Sequence, residues 1–165
     1  MRLLVVTAAG FTLLASDALP AQQQAEAGHR HSLTLFVGAA VNAERHETAV
    51  AVGPSYRYQL TRRLAAGPIL ELISYESETS TFALAGVFLK LYRGLELTMA
   101  PGVEWITGTA AARESIVEHG EFTSRFALGY QMQLRRGYSI APEAALNVGS
   151  GVTTARYGLT FGISF

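Results

Sequence analysis

The 165-residue chain contains no cysteine. Disulfide bonds, thiolate metal sites and cysteine nucleophiles are therefore excluded. The chain also lacks net charge, because 13 Lys and Arg residues are balanced by 13 Asp and Glu residues. A neutral chain has no electrostatic footprint of the kind that binds nucleic acid, so we expect no nucleic-acid partner.

Long apolar runs are missing beyond residue 21, although 49% of all residues are hydrophobic. No segment there approaches the ~18 consecutive apolar residues of a transmembrane helix. At the N-terminus, Arg2 precedes the apolar stretch Leu3–Ala15 and small residues follow, which is the pattern of a signal peptide cleaved after Ala18 or, as we prefer, after Ala21. We therefore predict a signal peptide over 1–21, a short N-terminal lead over 22–30 and one domain over 31–165.

Period-two alternation dominates that domain. In Tyr157–Phe165, large apolar residues alternate strictly with small or polar ones, which predicts a strand with one apolar and one polar face. Alternating stretches of this kind are longer than the ~5–6 residues of soluble strands and long enough for the ~9–11 residues of a tilted membrane strand. We place eight of them at 31–42, 48–60, 64–75, 81–91, 95–107, 121–134, 138–149 and 153–165.

The connections between these stretches alternate in length. Three are short: Thr61–Arg63, Tyr92–Gly94 and Arg135–Gly137. Two of the three end in glycine, as a three-residue hairpin loop with a left-handed last position requires. Three of the intervening connections are longer: Ala43–Glu47, Glu76–Ser80 and Gly108–Gly120, which is the longest. Short turns at one end and long loops at the other predict an eight-stranded antiparallel transmembrane β-barrel with periplasmic turns and outer loops.

Odd and even positions of a strand point to opposite faces, so the parity of a residue number assigns each side chain to one face. The large apolar residues share the outward face, where a charge near the bilayer midplane would cost ~2–4 kcal/mol. A soluble barrel would turn them inward, but an eight-stranded interior is too narrow to hold them all. The lumen side collects all the strand charges, at Arg57, Glu71, Lys90, Glu96, Glu104, Arg125, Glu143 and Arg156.

These lumen charges are the candidate site. The strand registers that the short turns set place Lys90 opposite Glu96. Five other charges lie at a similar height further along the lumen. Because buried charges must be paired, we interpret them as an internal salt-bridge plug. The alternatives are a narrow gated path for ions or solutes, or an acid–base site. The five residues are Glu71, Glu104, Arg125, Glu143 and Arg156.

Four prolines lie within predicted strands, on the outward face by parity. We interpret them as bulges that set the curvature of the barrel. The alternative is a weakened seam between strands two and three, where Pro54 and Pro68 are close in register. The four are Pro54, Pro68, Pro101 and Pro142.

Catalytic and metal sites have little support. The histidines are His29, His31, His46 and His119, and no matching acid cluster accompanies them, so we predict no metal and no cofactor. Ser115, Glu118 and His119 share the longest loop, but a hydrolase needs a nucleophile, a base and an orienting group in one geometry, which proximity in sequence does not supply. We assign no catalytic residue.

Three segments carry a family resemblance: His31–Asn42, Ala100–Glu104 and the final Tyr157–Phe165. They resemble small bacterial outer-membrane β-barrel proteins of the OmpA/OmpX-like superfamily, in particular a branch without assigned activities. The resemblance implies a bacterial outer-membrane location, with outer-membrane lipids, lipopolysaccharide and the barrel-assembly machinery as partners of a monomer. It also implies that the outward row of the last strand is an assembly signal, formed by Tyr157, Leu159, Phe161, Ile163 and Phe165.

The superfamily includes membrane anchors, adhesion-related proteins and lipid A-modifying enzymes. This chain lacks the His-x-Ser arrangement expected of lipid A deacylase barrels. We therefore expect a non-enzymatic outer-membrane barrel with a charge-plugged lumen and an envelope or surface-interaction role. The alternatives are a lipid A- or phospholipid-modifying barrel enzyme and a narrow gated pore.

Deleting Phe165 tests the assembly signal. Because Phe165 ends the outward apolar row, the deletion should impair insertion into the outer membrane and leave secretion intact. Membrane fractionation measures both quantities. Wild-type amounts of the deletion variant in the outer membrane would contradict the prediction.

Overall fold

The computed structural model describes residues 30–44, 47–76, 78–108, 120–149 and 153–165. The predicted signal peptide and almost all of the predicted lead lie outside these residues. The described part consists of strands and one short 3-10 helix at Arg135–Gly137. The strands are β1 (His31–Asn42), β2 (Thr48–Gln59), β3 (Leu64–Ser74), β4 (Glu78–Tyr92), β5 (Leu95–Gly108), β6 (Glu121–Tyr130), β7 (Met132–Gln133), β8 (Tyr138–Gly149) and β9 (Thr153–Ser164).

The strands close into a barrel. Strands β1 to β6 pair antiparallel in sequence order, β8 pairs with β9, and β1 pairs with β9 from Ser32↔Ser164 to Asn42↔Thr154. Both β6 and β7 pair with β8, so they are two segments of one barrel strand that is interrupted at Gln131. The result is a closed eight-stranded antiparallel barrel, as the alternation predicts.

Hairpin turns lie at one end of the barrel, which we call the turn end. The β2–β3, β4–β5 and β7–β8 connections are there, together with His31 and Phe165, whose main chains bond to each other. The opposite end, where β1–β2, β3–β4, β5–β6 and β8–β9 connect, is the loop end. The two longest connections, 43–47 and 109–120, lie at the loop end, but those at 75–77 and 150–152 have three residues each and are shorter than the four-residue connection at 60–63. The predicted asymmetry between short turns and longer connections is therefore present only in part.

One of the three turns differs from its prediction. Arg93 and Gly94 both have positive φ, 42° and 91°, and Tyr92 belongs to β4, where it pairs with Leu95. The connection is a two-residue turn, and the register shift between Lys90 and Tyr92 absorbs the extra residue as a bulge. The prediction of a three-residue loop is wrong here, whereas Gly137 has the left-handed φ of 79° predicted at the end of its loop.

Side chains follow the predicted alternation. Large apolar residues with outward parity lie outside, and Leu33, Leu35 and Val37 of β1 are 44–49% exposed. The interior also contains residues that the sequence argument did not place there, namely Phe36, Phe82, Phe88 and Tyr75. No helix within the described residues is both long enough and apolar enough to span a bilayer.

All four prolines face outward and are exposed. Between β2 and β3 the paired residues keep one register from Val50↔Ser74 to Gln59↔Ala65. No residue is inserted at Pro54 or Pro68, so the bulge interpretation is wrong at these two positions. The described β2–β3 ladder is interrupted on both sides of Ser55↔Ile69, where the prolines remove main-chain donors.

Two glycines make room for the ring of Phe36. A Cβ on Gly38 would stand 2.3 Å from the Tyr157 carbonyl oxygen and 2.6 Å from Phe36 Cζ. A Cβ on Gly158 would stand 2.9 Å from the same ring atom. The β1–β9 closure therefore packs main chain against main chain, and the space inside it is occupied by an aromatic ring.

Gly38→Ala tests this packing. The added methyl group must displace either the β9 main chain or the Phe36 ring, so the free energy of unfolding should fall by about 1–3 kcal/mol. Urea titration of the protein refolded in detergent micelles measures it. Gly129→Ala is the matched control, because its Cβ would meet no atom closer than 3.5 Å, and equal losses in the two variants would contradict the prediction.

Candidate functional site in the barrel lumen

Glu71 is the centre of the lumen charges. It projects inward from β3 and is only 2% exposed. Arg125 of β6, 1% exposed, donates Nη2 to Glu71 Oε1 at 2.7 Å and Nη1 to Oε2 at 3.2 Å. Arg156 of β9 donates Nη1 to the same Oε2. One carboxylate therefore joins three strands across the lumen.

The contacts continue outward from both arginines. Arg156 donates Nη2 to Glu143 Oε1, and the Thr160 hydroxyl donates to Glu143 Oε2 at 2.9 Å. Arg125 donates Nε to Asn147 Oδ1 at 2.7 Å. We call this connected set the lumen network. Its two carboxylates and two guanidiniums balance in charge, and its members are Glu71, Arg125, Arg156, Glu143, Thr160 and Asn147.

A second ion pair lies nearer the turn end. Arg57 of β2 donates Nη1 to Glu96 Oε1 of β5 at 2.6 Å. Lys90 stands opposite Glu96 in the β4–β5 register, as predicted. The sequence argument did not connect Glu96 to Arg57 of β2. Two strands, β3 and β4, lie between Arg57 and Glu96, so this pair spans the narrow interior.

Each of the three lumen arginines that carry ion pairs lies over a buried phenylalanine. Aromatic faces attract cations, and a desolvated contact of this kind stabilises by about 2 kcal/mol. The rings also occupy space that water would otherwise fill. The distances from guanidinium Cζ to ring centroid are 4.0 Å for Arg57 over Phe88, 5.6 Å for Arg125 over Phe82 and 4.0 Å for Arg156 over Phe36.

Glu104 differs from its prediction. It lies opposite Phe82, which in turn lies opposite Glu71, so the two acids share a register row. The strands of a barrel are tilted, however, and a register row climbs along the barrel axis. The Glu104 carboxylate reaches the loop end, where it bonds to the Ser80 hydroxyl and its Oε2 stands 3.7 Å from the position of a Cβ on Gly149. Placing it at the height of the plug is therefore wrong.

The free space beside these charges is small. A cavity of about 10 Å³ borders Arg57, Glu96 and Glu143, which is room for about one water molecule. Within the described residues, three buried nitrogens have no protein acceptor: Arg57 Nε, Arg156 Nε and Asn147 Nδ2. A polar site of this size suits a bridging water rather than a solute.

Residues considered for catalysis or metal binding mostly lie elsewhere. Ser115, Glu118 and His119 are outside the described residues, as are His29 and His46. His31 is described, and its Nδ1 lies 2.5 Å from the Tyr56 hydroxyl. In the part of the chain that the structure describes, no three His, Asp or Glu side chains are grouped closely enough to hold a metal ion.

The predicted assembly residues form one outward row on β9. Tyr157, Leu159, Phe161 and Ile163 are all exposed there, and Phe165 follows the strand. The Phe165 ring stacks on His31 at 5.9 Å between centroids, with 14° between the ring planes. The main chains of these two residues exchange hydrogen bonds of 3.1 and 2.9 Å. Sequence alternation identifies the row but not its partner on β1.

A closed barrel with an apolar exterior and ion pairs across its lumen has the fold of eight-stranded outer-membrane barrels. Among solved structures, the chain is similar to Ail of Yersinia pestis (14% identity, TM-score 0.56, 83% of this chain and 99% of that chain). It is also similar to neisserial surface protein A (8%, 0.62, 82% and 96%) and to the outer membrane enzyme PagL (13%, 0.50, 81% and 99%). No protein-family model and no curated protein matches the sequence. At these identities the similarity shows the fold alone.

Replacing Arg125 tests the lumen network. In Arg125→Ala, the Glu71 carboxylate keeps Arg156 as its cation, but the buried set gains one uncompensated negative charge. The free energy of unfolding should fall by about 3–5 kcal/mol. Urea titration of the refolded protein measures the loss.

A second substitution separates this mechanism from simple cavity formation. Adding Glu71→Gln to Arg125→Ala removes the surplus charge and should restore part of the lost stability. Adding Glu47→Gln is the matched control, since Glu47 is exposed at the loop end and outside the network. Equal recovery of stability with both substitutions would contradict the assignment of the surplus charge to the lumen network.

Proposed function

We propose that this protein is a non-enzymatic integral β-barrel protein of a bacterial outer membrane, of the OmpA/OmpX-like kind. Its lumen is closed by ion pairs, and it serves as an envelope component or acts through its outer loops. The observation that carries the proposal is the lumen network, in which Glu71, Arg125, Arg156 and Glu143 bond to one another across the interior.

The exterior supports the membrane location. Apolar side chains cover the outward face of every long strand, and the lumen side holds the charges of the strands. Exposing this apolar exterior to water would cost a large free energy, whereas a bilayer covers it. Outer-membrane lipids and lipopolysaccharide are the partners that such a surface meets, and the β9 row with Phe165 is the segment that the assembly machinery would recognise.

The side chains that fill the lumen support a protein that does not transport ions or solutes. An eight-stranded barrel is only just wide enough for its own side chains. Here the centre is occupied by two arginines, two glutamates and three phenylalanines, and the cavity beside Arg57 has room for about one water molecule. A hydrated ion needs a continuous aqueous path, which these side chains block.

A lipid-modifying barrel enzyme is the second candidate. The interruption of the β2–β3 ladder around Ser55↔Ile69 favours it, because a weakened seam would give an acyl chain lateral access to the lumen. Mass spectra of lipid A and phospholipids from cells with and without the gene distinguish the two candidates. Unchanged spectra are expected, and a lost or gained acyl chain would replace the proposed function by the enzymatic one.

Planar bilayer recordings test the closed lumen. The native protein should show no stable single-channel current. Glu71→Ala/Arg125→Ala removes two of the largest fully buried side chains and should allow small currents. Arg93→Ala, at a turn outside the lumen, is the matched control and should stay silent. Large, stable currents from the native protein would establish a pore instead.

A further inference from the structure

The charges outside the lumen are strongly polarised along the barrel axis. Every short turn carries an exposed arginine: Arg62 and Arg63 between β2 and β3, Arg93 between β4 and β5, and Arg135 between β7 and β8. Arg30, which precedes β1, is exposed at the same end. We call these five residues the turn-end arginines. A sixth, Arg136, follows Arg135 in the sequence.

Acidic side chains are concentrated at the opposite end. Among the described residues, no Asp or Glu lies in the three turns. At the loop end the described residues outside the lumen include three acids and no base. Among the described residues, the turn end is therefore cationic and the loop end is anionic. The three acids are Glu44, Glu47 and Glu76, and Glu78 and Glu121 lie nearby at strand ends, on the inward face by parity.

An apolar girdle lies directly beside the turn-end arginines. Arg93 places its Cζ 5.0 Å from the centre of the Tyr92 ring, so its guanidinium sits where the apolar surface stops. Aromatic and long apolar side chains at the rim of a membrane protein lie at the depth of the lipid headgroups. The exposed residues of the girdle are Leu60, Leu91, Tyr92, Leu134, Tyr138 and Phe165.

We propose that the turn-end arginines bind the phosphates of anionic phospholipids in the leaflet that the girdle enters. A guanidinium matches a phosphate with two parallel hydrogen bonds, and a cationic rim attracts lipids that carry net negative charge. The arginines are distributed over three hairpin turns and the start of β1, around the edge of the barrel. That arrangement suits a ring of lipids and not one pocket for a free anion.

Quenching by brominated lipids tests the proposal on the full chain. Tyr92→Trp with Trp105→Phe leaves one tryptophan, placed beside Arg93 and the girdle. The protein is reconstituted in phosphatidylcholine vesicles that contain phosphatidylglycerol, with bromine on the acyl chains of one lipid or the other. The quenching by brominated phosphatidylglycerol, divided by the quenching by brominated phosphatidylcholine, gives the local preference for the anionic lipid. We expect about a fivefold preference at low ionic strength, as for a cationic side chain at an anionic surface.

Salt and a second reporter position provide the first controls. The preference should decline toward one in about 0.5 M NaCl, because screening weakens attraction between exposed charges. The native Trp105 lies toward the loop end of β5, opposite Thr81, and should show no preference for phosphatidylglycerol. If the tryptophan at position 92 and the native Trp105 showed equal preference, the turn end would not bind anionic lipids selectively, and the proposal would be overturned.

Substitutions identify the residues responsible. Arg62, Arg63, Arg93 and Arg135 changed together to Gln should reduce the preference to about one, whereas the same four changed to Lys should retain most of it. Glu44, Glu47 and Glu76 changed to Gln are the matched control at the other end and should leave it unchanged. If the fourfold Gln variant does not fold, Arg93→Gln alone should lower the preference at the adjacent reporter.

The inference rests on the proposed membrane location, and the experiment separates the two. Absence of quenching by either brominated lipid would overturn the membrane location together with the lipid site. Equal quenching by both lipids would leave the membrane location intact and overturn the lipid site alone. A preference that survives the Gln substitutions would also overturn it.

Discussion

The structure depends on one constraint: charged side chains must be buried inside a cylinder that is barely wide enough for side chains. Glu71 shows how the constraint is met. Its carboxylate is nearly inaccessible to water and accepts hydrogen bonds from Arg125 and Arg156, so the desolvation of each charge is offset by its neighbours. Because these charges occupy the interior, the apolar residues of the same strands must face outward. The closed lumen and the lipid-compatible exterior are thus two consequences of a single alternation.

Much of the fold can be predicted from the sequence because it depends on local, two-residue periodicity. β1 and β8 begin and end where the alternation predicts, and the longest connection, 109–120, is at the loop end. Predictions fail where main-chain detail decides. Tyr92 joins β4 because Arg93 and Gly94 alone make the turn, and no pattern of side chains reveals that the β2–β3 register runs straight past Pro54.

The lumen site can be predicted only in part, because parity gives the face of a residue and not its height. Glu104 and Glu71 share a register row, yet strand tilt carries Glu104 toward the loop end. Phe36, Phe82 and Phe88 have inward parity in the sequence, but nothing in the alternation indicates that each would lie against a guanidinium. Such contacts connect strands that are remote in sequence, and only the closed barrel brings them together.

The lumen network also has a consequence for how the barrel forms. The partners of Glu71 come from residues 54 and 85 positions further along the chain, and the second lies on the strand that completes the cylinder. A barrel that lacks β9 holds Arg125 beside Glu71 but lacks Arg156, so Glu143 is without its cation and the buried set carries one surplus negative charge. Electrostatic neutrality inside the lumen therefore coincides with closure. A shift in the register of β9 would move Arg156 away from Glu71 and Glu143, so the network stabilises only the correctly closed barrel.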